Sequence, residues 1–197
     1  MMLRLLSLYA PKRILLRELR KVSEATLGAL DSLVKENCPN TAVEDLETSG
    51  IGLESLREQM AILHEQRVSE LCHCIGEDEG VALGRRALYQ VGIGLGEKAR
   101  KRLGVGDSLK DTLLAARIMY KVLGIEFTFR PEGDGGTLFV KRCALSDHYS
   151  GRTCRVLSAA DEGVLRGLNP LLTMRFMETI PDGAEGCKAK IIIDDLR

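Results

Sequence analysis

Three cysteines in the second half of the chain, Cys143, Cys154 and Cys187, are the residues best suited to chemistry. Each lies at the end of a predicted strand or in the loop between two predicted hairpins. Because antiparallel hairpins return alternate strand ends to one edge of a sheet, we expect the three thiols to meet at that edge. Zinc binds four ligands drawn from thiolate, imidazole and carboxylate groups. The predicted zinc ligands are therefore Cys143, Cys154, Glu178 and Cys187.

Two other interpretations of the same thiols stay open. Buried free cysteine behaves as a small hydrophobic residue, so all three could be inert core thiols. Alternatively, Cys154 could act as a nucleophile. His148, in a polar loop between Asp147 and Tyr149, is the histidine best placed for proton transfer to or from it. The predicted catalytic residues are thus Cys154 and His148.

The run Cys72-His73-Cys74 is a weaker metal candidate. It falls in a predicted helix, where positions i and i+2 lie on roughly opposite faces, so one ion could not bind both thiols. His64, on the same predicted helix, is expected at the surface or in an interface.

Helices are predicted wherever apolar residues recur at steps of three and four. These segments are residues 12–36, 53–74, 81–103 and 108–123. The third contains Gly92, Gly94 and Gly96, and glycine disfavours a helix interior, so we expect another backbone to approach closely there. The glycines lack the G-x-G-x-x-G spacing of a dinucleotide site.

After Gly124 the period changes from 3.6 to 2, which predicts strands. Residues 125–130 and 137–143 form one predicted hairpin, residues 147–158 a polar loop, and residues 159–168 a short helix. Further strands are predicted at 171–179 and 187–193. A block of helices followed by four strands predicts an α+β fold with an antiparallel sheet.

We divide the chain into a helical extension, residues 1–75, and an α+β ligand-binding domain, residues 76–197. The first 22 residues carry six basic side chains and one acidic one beside a Leu-rich face. That face could contact a membrane or a partner, or it could pack on the chain's own core or on a second subunit. We expect a homodimer, with the extension forming its interface.

Composition excludes several classes. The chain has 28 Lys and Arg against 28 Asp and Glu, so it carries no net charge to attract nucleic acid. Aromatic residues make up 4 % and Trp is absent, which argues against a base-stacking surface. No apolar run reaches the length of roughly 18 residues that a membrane span needs. Without a recognisable secretory signal we expect a cytoplasmic, reducing location, where the six cysteines are thiols or metal ligands.

The C-terminal residues also carry a family resemblance. The run from Cys154 through Asp161-Glu162-Gly163 to Asn169-Pro170, followed by Glu178 and Cys187, resembles the L-2-amino-thiazoline-4-carboxylic acid hydrolase family. The block from Tyr89 to Gly124 and the tail resemble 4-vinyl reductase-type small-molecule-binding domains, which are related in fold to transport-protein-particle subunits and haem nitric-oxide-binding domains. The resemblance covers roughly residues 80–193, and it implies zinc near the tail at Cys154, Glu178 and Cys187.

Together these observations predict a sensor-like domain that binds a small apolar or heterocyclic molecule, with a Cys-ligated zinc at the sheet edge. Its pocket is expected between the helix segment Leu113 to Met119 and the strand carrying Phe127 and Phe129. The alternative is a hydrolase of a C–N bond in a small heterocycle or amide, which the first resemblance implies.

Overall fold

A computed structural model describes residues 11–39, 41, 44–47 and 50–194, which form five α-helices and a four-stranded sheet. The helices are α1 (Lys12–Asn37), α2 (Leu53–Ile75), α3 (Glu77–Leu103), α4 (Leu109–Leu123) and α5 (Gly151–Leu168). The strands are β1 (Ile125–Glu132), β2 (Gly135–Cys143), β3 (Leu172–Glu178) and β4 (Cys187–Ile193). Short 3-10 helices span Ser146–His148 and Ile180–Asp182.

The sheet has the strand order β1-β2-β4-β3, and every neighbouring pair is antiparallel. This arrangement confirms the predicted α+β fold. Val140 on β2 pairs with Cys187 at the start of β4, and Cys143 lies three residues further along β2. The register therefore places Cys143 and Cys187 near the same end of two adjacent strands.

Helix α5 starts earlier than predicted. The segment 151–158, predicted as polar loop, is helical, and the Ser150 side chain caps it by accepting a hydrogen bond from the Thr153 amide. Glu65 of α2 fixes this cap by accepting from the Ser150 amide at 2.8 Å and from its hydroxyl at 3.0 Å. The prediction failed because Thr153, a polar residue, is the only fully buried residue of the first turn, residues 151–154; the apolar Val156 is buried one turn later. As a consequence, Cys154 lies on a helix and not in a loop.

The glycines of α3 allow α3 and α5 to pack backbone against backbone, as predicted. A Cβ atom added at Gly92 would lie 2.1 Å from the carbonyl oxygen of Ala160. One added at Gly163 of α5 would lie 2.1 Å from the carbonyl oxygen of Tyr89. No side chain fits at these distances, so glycine on both helices sets their separation.

Helices α1 and α2 pack on the rest of the chain. Leu19 and Leu56 belong to one apolar cluster with Val122 and Leu145. The Arg57 guanidinium donates to the carbonyl oxygens of Val122 at 2.9 Å and of Lys121 at 2.7 Å, which satisfies the last turn of α4. The Leu face of α1 thus packs on the chain's own core, one of the alternatives stated above. Residues 1–10 of the basic segment lie outside the described residues, and the two-domain division and the homodimer stay predictions.

A disulfide joins Cys38, at the end of α1, to Cys74 in the last turn of α2. The expectation that every cysteine is a thiol or a metal ligand is therefore wrong for this pair. Cys72, two residues before Cys74, is a free, buried thiol that packs beside Gly80 at the start of α3. The thiols of Cys72 and Cys74 thus face different directions, as the helix period predicts.

Within the part of the chain that the structure describes, none of the helices is long and apolar enough to span a membrane.

Candidate functional site

A cavity of about 760 Å³ lies between the helices and the sheet. Its walls come from every helix and from the sheet, and most of the lining side chains are apolar. The apolar lining includes Leu15, Met60, Leu95, Met119, Val140, Leu157, Val164 and Phe176. The predicted extension therefore contributes to the wall of the cavity.

The cavity opens to solvent between α1 and α3. The lining residues there are charged and largely exposed: the side chain of Arg17 is 66 % exposed and that of Arg102 53 %. Glu18 pairs with Arg102 at 2.7 Å and with Lys21 at 3.1 Å. Although burial acts in the opposite direction, hydrogen bonds from these two cations lower the pKa of Glu18. The entrance is thus rimmed by a small network of ion pairs.

All three predicted thiols, Cys143, Cys154 and Cys187, lie on the wall of this cavity. The sulfur of Cys187 accepts a hydrogen bond from the Ile180 amide at 3.3 Å, and the Cys154 thiol is hydrogen-bonded to the Thr179 side chain.

Burial keeps these thiols protonated. It raises the pKa of Cys154 to about 12 and that of Cys143 to about 11, and it also raises the pKa of Cys187. Because the thiolate is the nucleophilic form, burial does not activate these thiols as nucleophiles.

The two other predicted site residues, Glu178 and His148, are not among the residues that line the cavity. Glu178 is half-exposed, and its carboxylate pairs with Lys188 at 2.6 Å. His148 is half-buried and does not belong to the cavity lining. Among the described residues, the single group of three or more potential ligands within 4.8 Å of one another is Cys38, Glu70 and Cys74, whose two sulfurs are bonded to each other. The predicted zinc ligands are not gathered into such a group, so the zinc site and the Cys154–His148 pair stay predictions without a compact geometry.

Asp161 on α5 is a cavity residue to which the sequence analysis assigned no role. Burial, reinforced by repulsion from Glu162, raises the pKa of its carboxyl to about 7, and a hydrogen bond from Tyr120 partly offsets this. Cys154, Leu157, Asp161 and Val164 recur at steps of three and four and so share one face of α5, but the predicted loop over residues 147–158 hid this face. The sequence could not show that this face lines a cavity.

His64 is buried in the cavity wall, which excludes the surface, one of the two positions predicted for it. Its Nδ1 lies 2.8 Å from the Tyr149 hydroxyl and its Nε2 2.8 Å from the Thr26 hydroxyl. Thr26 itself donates to the Val22 carbonyl at 2.9 Å, so it accepts from Nε2–H while Tyr149 donates to Nδ1. Burial lowers the pKa of His64 to about 3, which keeps the ring neutral.

The predicted pocket lining is only partly correct. Met119 does line the cavity, whereas Leu113 and Phe129 line a second pocket of about 730 Å³ beside the β1–β2 turn. Phe127 is buried in the core, where its ring meets that of Tyr120 edge to face at 5.3 Å.

Comparison with solved structures finds proteins of similar fold. The chain is similar to a trafficking protein particle complex subunit 3 from Naegleria fowleri, solved covalently bound to palmitic acid. The identity is 13 % and the TM-score 0.57 over 71 % of this chain and 95 % of that one. A second similar structure is the phenol-responsive sensory domain of the transcription activator PoxR with phenol, with 15 % identity, a TM-score of 0.49 and coverage of 83 % and 88 % of the two chains.

The first of these likenesses confirms the predicted fold-level resemblance to transport-protein-particle subunits. No family model and no curated protein matches the chain. Membership of the L-2-amino-thiazoline-4-carboxylic acid hydrolase family therefore stays a prediction.

Proposed function

We propose that this chain binds a small, mainly apolar molecule in the cavity between its helices and its sheet. The observation that carries the proposal is the cavity itself, whose volume of about 760 Å³ falls among those of small-molecule sites. Its lining is mostly apolar and carries a few polar groups. An apolar lining removes the apolar surface of a ligand from water, and the polar groups orient the ligand.

The state of those polar groups supports binding over catalysis. His64 is neutral and engaged through both ring nitrogens, and the three thiols are protonated. The similar trafficking protein particle subunit was solved bound to palmitic acid, so a protein of this fold holds an apolar chain. Hydrolysis of a C–N bond, which the family resemblance implies, is the alternative function.

The test measures occupancy of the cavity with N-phenyl-1-naphthylamine, an uncharged fluorophore whose emission rises in apolar surroundings. Leu157, a half-buried residue of α5, lines the cavity, so Leu157→Trp would fill part of it. Leu114, a half-buried residue of α4, lines the second pocket, so Leu114→Trp is the matched control.

We expect the wild type and Leu114→Trp to bind the fluorophore alike, and Leu157→Trp to bind at least about tenfold more weakly, a loss of about 1.4 kcal/mol. Circular dichroism establishes that each variant is folded. Equal binding by a folded Leu157→Trp variant, or no binding by the wild type, would refute the proposal.

Zinc at Cys143, Cys154, Glu178 and Cys187 is tested separately. Metal analysis of protein purified without added metal would have to find one ion per chain, and Cys154→Ser would have to remove it. A metal-free protein that still binds the fluorophore would leave the apolar cavity as the binding element.

A further inference from the structure

We propose that the ligand of the cavity is an apolar amine, and that its ammonium group pairs with the carboxylate of Asp161. This inference rests on the proposed function, because it names the chemical class of the molecule that the cavity binds. It assigns to Asp161 the role of the ligand's polar anchor.

Asp161 has unused hydrogen-bonding capacity inside the cavity. The residue lines the cavity, and the Tyr120 hydroxyl is the hydrogen-bond partner that the described residues give it. A carboxylate has about four lone-pair sites, so one donor leaves most of them unfilled. Burying a carboxylate with so few partners is costly unless a further donor or a cation meets it.

The neighbouring acid shows what is missing at Asp161. Glu162 pairs with the Arg85 guanidinium at 2.8 Å and also accepts from the Phe176 amide at 3.3 Å. Asp161 forms no ion pair within the described part of the chain, so one of two adjacent acids has a counterion and the other faces the cavity without one.

The remaining polar groups that influence Asp161 cannot supply the positive charge. Tyr120, Tyr149 and the three thiols are neutral or negatively charged in every protonation state that they adopt in water. His64 is neutral with both ring nitrogens engaged. The charged side chains of the lining otherwise stand at the exposed rim between α1 and α3. A cation at Asp161 must therefore come with the ligand.

Charge selects an amine over other head groups. An ammonium gains both a hydrogen bond and Coulomb attraction, which is strong where the local dielectric is low. An alcohol gains the hydrogen bond alone, and a carboxylate is repelled by Asp161. The apolar lining of Leu157, Val164 and Phe176 provides the surface for the body of the molecule.

Three probes with the same ten-carbon chain isolate the head group: decylamine, decan-1-ol and decanoic acid. Each displaces N-phenyl-1-naphthylamine from the full chain, at concentrations below micelle formation and at about pH 8, where Asp161 is largely ionised. The same titrations use Asp161→Asn, which keeps the shape of the side chain and removes its charge. Asp107→Asn is the control, since Asp107 pairs with Arg100 outside the cavity lining.

We expect decylamine to bind the wild type and Asp107→Asn at least about tenfold more tightly than decan-1-ol, with decanoic acid weakest. In Asp161→Asn the preference for decylamine over decan-1-ol should vanish, whereas Asp107→Asn should bind the fluorophore as the wild type does. Equal affinity of wild type for amine and alcohol, or an amine preference that survives in Asp161→Asn, overturns the amine proposal and leaves apolar binding standing. Failure of the wild type to bind the fluorophore overturns both.

Discussion

The substitution Asp161→Asn should stabilise the ligand-free protein at neutral and alkaline pH. The pKa of this carboxyl rises from an ordinary 3.8 to about 7 in the folded chain, chiefly because burial disfavours its charged form. The folded chain therefore holds the proton more tightly than the unfolded chain. The stabilisation that results is complete below about pH 3.8 and is lost as the pH rises through about 7.

The size of the effect follows from linkage between protonation and folding. One pKa unit corresponds to about 1.4 kcal/mol, so the full shift is equivalent to about 4 kcal/mol, part of which is already lost by about pH 4.5. Water that enters the cavity solvates the carboxylate and lowers this figure. Between about pH 4.5 and pH 8 we expect Asp161 to reduce the free energy of unfolding by about 2–3 kcal/mol.

Urea denaturation at a series of pH values measures this contribution. The free energy of unfolding of the wild type is subtracted from that of Asp161→Asn at each pH, so that groups titrating alike in both proteins cancel. The difference should grow with pH and level off above about pH 7, with the variant the more stable protein at pH 8. A difference that stays within about 0.5 kcal/mol over the whole range would show that Asp161 is solvated in the folded chain, and the reasoning would be wrong.

Three further predictions concern the frame around the cavity. Gly92→Ala should lower the free energy of unfolding by about 2–3 kcal/mol, because the added Cβ meets the α5 backbone. The Cβ of Gly94→Ala meets nothing within 4 Å, so this variant should raise the free energy of unfolding by up to about 1 kcal/mol. Equal effects of the two substitutions in chemical denaturation would contradict the close packing of α3 on α5. Reducing the Cys38–Cys74 disulfide, which closes a 36-residue separation, should cost up to about 4 kcal/mol, and Cys38→Ser should make stability insensitive to reductant. Arg57→Met should cost about 1–3 kcal/mol in the same assay, because the buried Val122 carbonyl of α4 loses the donor that Arg57 supplies, and an unchanged midpoint would refute that role.

Most of the secondary structure could be predicted from local patterns. The strand Cys187–Ile193 and the helix ends at Leu103 and Leu123 agree with the predicted bounds, because alternation of apolar residues and helix-stopping glycines act over a few neighbouring residues. The first turns of α5 were missed for a related reason. The only fully buried residue of the first turn is Thr153, a polar side chain that gives no apolar signal.

The candidate site was predicted less well. Cys143, Cys154 and Cys187 do line one cavity, but the partners expected for them do not join them there. Glu178 pairs with Lys188, and His148 lies outside the lining. Such partnerships depend on where side chains point and on which competitor is nearer, and neither follows from spacing along the chain.

Local patterns in the sequence predict most of the elements of this protein, the antiparallel pairing of its strands and the close approach of a second backbone to the α3 glycines. Each of these follows from interactions between near neighbours or from the steric limits of one residue type. Local patterns do not predict that all five helices and the sheet line one cavity, because this depends on how distant segments pack against one another. Nor do they predict that Asp161 lies in the cavity wall without an ion-pair partner among the described residues. The free energy of a charged group depends on its contact with water and on its polar partners, and both are set by segments distant in the sequence.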